Sequence, residues 1–324
     1  MVILIIRLWW LFGVYISKLL FSTGELSVRF LSAVSLSLTY YIAWKLIDYP
    51  KKNSYIILFI ISVLSFFLIS IYGFITVPDT PLLFFMVIFL LGYKKYLNKK
   101  SFISYLLITV GIVGMLYSKY PSVLIVFFVV ISNIKMLKNI RIWVVFLFVL
   151  LLYLPHLYWQ YTNDFSSFKY HLFERMSSKY RFDFTLVHLL NMAGVVGLAF
   201  PVVYYAFFKS LKNKSLFNKS LVSIVFGFFL FFLLFSLKTH VQMQWLMPIS
   251  VPLLIISFKY FIDYKKSRKV FIWLASFSII ITFILRVLIT TDTIVVKKIR
   301  ISNNKNWTLA LLSKYKDADF LFQN

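Results

Sequence analysis

Long stretches of this chain carry no charged side chain, and they recur from one end to the other. There is none from Tyr55 to Val77 and none from Leu82 to Tyr93. A helix needs about 20 predominantly apolar residues to cross the hydrocarbon core of a bilayer. Backbone polar groups there can be satisfied only within helices or closed barrels. The runs are uniformly apolar rather than alternating in short strands, which excludes a membrane β-barrel. Apolar segments fall at 2–21, 28–47, 55–77, 81–97, 102–118, 120–134, 142–160, 185–208, 219–237, 242–261 and 270–290. The expected fold is all-α, a polytopic transmembrane helical bundle of about 10–11 membrane or juxtamembrane helices. It divides into a juxtamembrane helix at 1–26, a helical membrane domain at 27–291 and a short polar tail at 292–324.

A formal net charge of +25 invites a nucleic-acid reading. The positions of the lysines exclude it. Alternate loops, around residues 45–52, 94–100, 135–141, 209–219 and 265–269, hold eighteen Lys and Arg, whereas the intervening loops hold six. Cytoplasmic loops are the lysine-rich ones, so the first set is assigned to the cytoplasm. Asp79, Lys119, the loop 161–184, His240 and the tail from 291 then face outward. The expected location is the inner or plasma membrane, multi-pass, with the active face outside. There is no cysteine, hence no disulfide framework and no thiolate metal site. The run that begins at Met1 shows no cleavage-site pattern, so internal helices are expected to do the targeting.

The outward residues carry the chemistry that can be read from the sequence. Asp79 lies in Val77-Pro78-Asp79-Thr80-Pro81, a polar turn between two bare runs. It reads equally as a helix start, with Asp79 or Thr80 capping and Pro81 opening the helix, and as a carboxylate placed to bind a divalent metal or a hydroxyl substrate. Lys119, in Tyr117-Ser118-Lys119-Tyr120-Pro121, is a snorkelling lysine or a point charge for phosphate. Arg29 occupies a similar position at the outer end of its segment. Asn163, Asp164 and His171 lie in the longest polar insertion, among Phe165, Phe168 and Tyr170. That mixture suits an interfacial amphipathic segment as well as a sugar site. His240 is a second metal candidate, although a lone His lacks paired ligand spacing. The sequence leaves the cofactor unknown.

Several motifs, in this order, resemble one family. They are Gly24-Glu25-Leu26-Ser27-Val28-Arg29-Phe30-Leu31-Ser32, then Val77-Pro78-Asp79-Thr80-Pro81-Leu82-Leu83, then Tyr117-Ser118-Lys119-Tyr120. Leu154-Pro155-His156-Leu157-Tyr158-Trp159-Gln160 follows, with Asn163-Asp164-Phe165-Ser166-Ser167-Phe168. Together they resemble bacterial relatives of protein O-mannosyltransferases and lipid A aminoarabinose transferases, which belong to the GT-C superfamily. The resemblance implies a GT-C-like bundle and a glycosyltransferase that uses a polyprenyl-phosphate-linked sugar as donor. The acceptor would be a lipid, glycan or protein at the outer membrane face. It makes Asp79 the catalytic or metal-holding carboxylate, Lys119 and Arg29 the phosphate contacts, and Asp164, His171 and Asn163 the sugar or acceptor contacts. The family places its principal acid in a first outer loop after a first membrane helix. Met1 to Phe21 resembles the helix that follows that acid, so upstream sequence is expected to be missing.

Three other readings compete: a transporter or flippase of polyprenyl-linked sugars, a non-catalytic fragment lacking the first outer-loop acid, and a structural subunit. A transporter predicts ionisable groups near mid-membrane and broken helices in paired positions. Because the chain has no native thiol, topology can be read from single cysteines. Asn163→Cys in intact cells is expected to react with a membrane-impermeant maleimide, and Asn213→Cys only after permeabilisation. The reverse pattern would invert the assignment of sides.

Overall fold

A computed structural model of the protein describes residues 15, 17, 25–73, 77–169 and 180–290. Helices make up most of those residues, and no strand occurs among them. The chain divides into two compact units, 1–278 and 279–324, and of the second only residues 279–290, the end of the last helix, are described. Among the described residues six stretches are long and apolar enough to cross a bilayer: Asp79–Asn98, Ile140–Thr162, Phe182–Ser210, Leu216–Ser236, Met243–Asp263 and Lys265–Leu288. Shorter apolar helices run over Lys52–Ser65, Phe102–Ser118 and Ser122–Ser132. The juxtamembrane helix expected at 1–26 and the tail at 292–324 lie almost wholly outside the described residues.

Helix α1 (Glu25–Leu46) packs beside α4 (Asp79–Asn98), and between them come α2 (Ile56–Ser65) and α3 (Phe67–Tyr72). Helix α4 pairs most extensively with α5 (Phe102–Ser118). The reason is glycine. A Cβ on Gly111 would stand 2.6 Å from the backbone N and Cα of Phe89, and one on Gly92 would stand 2.7 Å from the backbone N of Ile108. Between lipid-facing helices there is little hydrophobic drive, so close van der Waals packing over small residues does the holding. The short loop from Lys99 to Ser101 closes this antiparallel hairpin. Ser101 caps α5 by accepting from the Ser104 amide. Two helices of 20 and 17 residues therefore begin and end at nearly the same height, about 30 Å apart along the axis.

Helices α6 (Ser122–Ser132) and α7 (Ile140–Thr162) continue the bundle. In α7 the buried residues are Ile142, Val145, Val149, Tyr153, His156 and Gln160. Their spacing of three and four places them in one stripe. Most of the rest of α7, including Leu147, Phe148 and Leu151, is exposed, as suits a lipid-facing surface. Next come α8 (Phe182–Val196), α9 (Phe200–Ser210), α10 (Leu216–Ser236), α11 (Ser250–Asp263) and α12 (Lys265–Thr290).

Three apolar runs that read as continuous in the sequence are interrupted. The 55–77 segment breaks at Phe66, whose backbone is extended (φ −71°, ψ 100°). Serines make this break: Ser62 Oγ donates to Leu58 O at 2.7 Å, Ser65 Oγ to Ser62 O at 2.9 Å, and Ser70 Oγ to the freed Leu64 O at 2.8 Å. Such side-chain bonds compete with the helix ladder while keeping polar groups satisfied. The 185–208 segment breaks at Gly197, which has φ +71° and lies against the first break, where a Cβ would come 3.1 Å from Phe67 Cβ. The 242–261 segment opens as a 3-10 helix, Met243–Ile249, because Pro248 donates no amide.

The lysine-rich loops meet at one end of the bundle. Lys94 Nζ pairs with Asp48 at 2.6 Å and donates to Leu46 O at 2.8 Å. Lys52 Nζ donates to Trp44 O and Ile47 O at 2.8 Å each. Tyr49 donates to Asp263 Oδ1 at 2.6 Å, and Asn139 Nδ2 to Tyr105 OH at 2.9 Å. The charge phase read from the sequence thus corresponds to a physical end of the molecule. Gly111→Ala is expected to force α4 and α5 apart at a cost of about 1–3 kcal/mol, seen as a lower unfolding temperature in detergent. An unchanged midpoint would show that the hairpin does not depend on this approach.

Candidate functional site

At the opposite end of the hairpin, Asp79 opens α4 and Lys119 closes α5. The cap of α4 is Pro78, with no side-chain hydrogen bond, so neither Asp79 nor Thr80 caps the helix as one sequence reading expected. Asp79 instead sits in the first turn, near the positive end of the helix dipole. Lys119 leaves the helix with an extended backbone (φ −163°, ψ 135°), its amide still bonded to Met115 O. The ammonium donates to Asp79 Oδ1 at 2.8 Å and Oδ2 at 3.0 Å. The carboxylate side chain is 4% exposed and the lysine 21%.

Two groups that the sequence offered for separate tasks are thus one ion pair. Removing both charges from water is costly, and close mutual pairing is what offsets it. Both carboxylate oxygens are engaged by the ammonium. Among the described residues no group of three or more His, Asp or Glu comes together. His240 is exposed on the turn before Met243, with Phe184 edge-on at 6.2 Å between ring centres.

A polar network adjoins the pair. Tyr120, the residue after Lys119, places its hydroxyl 3.0 Å from His156 Nε2 and accepts from Gln160 Nε2. Tyr153 and Trp159 flank the imidazole at ring separations of 4.9 and 5.9 Å. Tyr117, edge-on to Tyr153 at 5.1 Å, donates to Leu152 O at 2.9 Å. His156 and Gln160 are the polar top of the buried stripe on α7. Four buried atoms around this end have no partner among the described residues: Thr80 Oγ1, Ser122 Oγ, His156 Nδ1 and Gln160 Oε1. Buried polar atoms are normally bonded, so this end has hydrogen-bonding capacity to spare.

The other candidates are distributed around the pair. Arg29 is exposed on α1. Because Leu46 at the far end of α1 meets Lys94 of α4, the start of α1 lies at the Asp79 end. Asn163 and Asp164 follow α7 and are exposed, and Asp164 has a left-handed backbone (φ 51°). Asn163 Nδ2 donates to Trp159 O at 2.8 Å, and the Phe165 amide to Gln160 O at 2.8 Å, which ties this turn to the network. His171 lies outside the described residues. Sequence reasoning quoted His156 and Gln160 within a motif without assigning them a role. Their spacing of four on an otherwise apolar helix, with Tyr153 three residues before, was the available signal.

A sequence profile of the family described as dolichyl-phosphate-mannose-protein mannosyltransferase matches residues 9–159, just under half of the chain. The fold is similar to the crystal structure of ArnT from Cupriavidus metallidurans in the apo state, with a TM-score of 0.62 and 12% identity. The match covers 79% of this chain and 49% of that one, so the chain spans about half the length of this structural relative. No curated protein matches it. Asp79→Asn alone is expected to strand the Lys119 ammonium and cost about 3 kcal/mol of stability, whereas Asp79→Asn with Lys119→Met recovers most of the loss. Thermal unfolding of the three variants checks this. A double variant no more stable than the single would remove the pair from the stabilising contacts.

Proposed function

We propose that the chain is a membrane glycosyltransferase of the GT-C superfamily and that it moves a sugar from a polyprenyl-phosphate donor to an acceptor at the outer membrane face, a reading supported by the family profile over residues 9–159 and the shared fold. The acceptor would be a lipid, glycan or protein hydroxyl or amine. One observation carries the reading: an ammonium and a carboxylate paired at the end of the bundle opposite the lysine-rich loops, beside a polar network with unused hydrogen-bonding capacity.

In such a transfer the bond between the anomeric carbon and the phosphate oxygen breaks. A bond from that carbon to the acceptor atom forms, the acceptor gives up a proton, and the lipid phosphate leaves. Lys119 is the residue suited to the phosphate, because its charge is compact and about a fifth of the side chain remains exposed. In moving toward the phosphate it would release Asp79. The freed carboxylate is then positioned to orient the acceptor or take its proton. Lys119 near the leaving phosphate stabilises the charge that develops there. Arg29, on the neighbouring helix at the same end, is a second cation for the donor. Asn163 and Asp164, tied to Gln160 by the turn after α7, would contact sugar or acceptor hydroxyls.

The broken helices at Phe66 and Gly197 meet, which is one feature expected of a transporter. The breaks themselves are lined by Ser65, Phe67 and Gly197, none of them ionisable, so the coupling chemistry of a transporter is not favoured.

The test is a transfer assay in proteoliposomes, with a polyprenyl-phosphate sugar as donor and the full-length protein. Lys119→Met is expected to weaken donor binding at least tenfold, about 1.4 kcal/mol, and Asp79→Asn to lower turnover by two to four orders of magnitude. Donor affinity and turnover unchanged in both would remove the pair from the mechanism.

A further inference from the structure

At the lysine-rich end, α9, α10, α11 and α12 enclose a recess of about 980 Å³. Lys209, Lys212, Lys259, Lys265 and Lys266 line it, with Asp263 as the one acid in the wall. None of the five lysines is ion-paired among the described residues. Asp263 already accepts from Tyr49 at 2.6 Å. Asp48 acts on Lys259 from outside the wall, but it is paired with Lys94 at 2.6 Å, and Lys94 and Lys52 oppose its effect. The recess is therefore strongly positive with little internal compensation.

We propose that this recess holds the headgroup of an anionic phospholipid of the cytoplasmic leaflet. Topology alone asks only for lysines in the loops. It does not require Lys259, which stands inside the Met243–Asp263 span and is partly buried. A cation drawn into a span is costly unless a counter-charge meets it, and concave basic sites between helices on the cytoplasmic side suit lipid phosphates. The wall is shaped rather than loose. Tyr260 and Tyr264 stack at 4.3 Å, and Lys209 lies over the Tyr205 ring at 5.2 Å. Asn218 Nδ2 fastens the 210–215 loop through Ser210 O at 3.0 Å. The source is a lipid rather than a soluble anion because the recess opens where four apolar helices emerge. Phe208, Leu211 and Leu216 are exposed beside it and offer a surface for acyl chains. The ammoniums would donate to the phosphate oxygens. This site lies at the opposite end of the bundle from the Asp79 pair and does not depend on the transferase reading.

Native mass spectrometry of the full chain, titrated with cardiolipin, phosphatidylcholine or inorganic phosphate, tests the proposal. The expected result is retention of cardiolipin and not of phosphatidylcholine, with inorganic phosphate at millimolar concentration failing to displace it. Lys209→Gln, Lys259→Gln and Lys265→Gln combined should weaken retention roughly a hundredfold. Lys259→Arg should preserve it, and a control of equal charge loss outside the recess, Lys95→Gln, Lys99→Gln and Lys100→Gln, should leave it within about twofold. Equal retention of the two lipids, equal loss in the control, or displacement by inorganic phosphate would overturn it.

Discussion

The close approach of α4 and α5 over Gly92 and Gly111 sets the register of the ion pair at one end of the hairpin and of Lys94 at the other. In a bilayer, helices are not driven together by water, so contact depends on how near two backbones can come. Glycine at the crossing lets the backbones touch, and similar lengths then place Asp79 and Lys119 side by side. The same hairpin carries Lys94 to Asp48 at the other end. A residue with a side chain at either crossing would shift the two ends together, because both are read off one rigid pair.

Much of the architecture was legible in the sequence. The apolar runs gave the helices, and lysine phase gave two chemically different ends, because membrane helices must be apolar and their loops need not be. Asp79 and Lys119 stood out because each is alone in its turn. Their pairing was not legible, since it follows from the register of two helices across glycines and not from local pattern. The breaks at Phe66 and Gly197 were hidden for the opposite reason. Serine and glycine barely change hydropathy, and a run can be apolar throughout while its hydrogen-bond ladder is interrupted. The His156–Gln160 pair was visible as spacing, but its meaning required knowing that α5 and α6 bring Tyr120 to it. The 170–179 stretch, with His171, lies outside what the structure describes.

The polar side chains are separated by how they are satisfied. Through the middle of the bundle, serine and threonine hydroxyls bond back to carbonyls of their own helix, as Thr39, Thr109 and Ser257 do. These groups are closed to anything else. At the Asp79 end, by contrast, the side chains bond to one another across helices and leave atoms over. At the lysine end, cations outnumber acids and face a recess. Most of the buried polar atoms left without a partner among the described residues lie at the Asp79 end, the others being Tyr40 OH and His188 Nδ1.

Helix α7 meets the bundle along a single stripe and shows the rest of its circumference to the surroundings. The imidazole and amide it contributes are therefore screened from the hydrocarbon by the thickness of one helix. At the level of His156 and Gln160 the outer side of α7 is formed by Leu154, Tyr158 and Tyr161, so this helix stands between the polar corner and the surroundings.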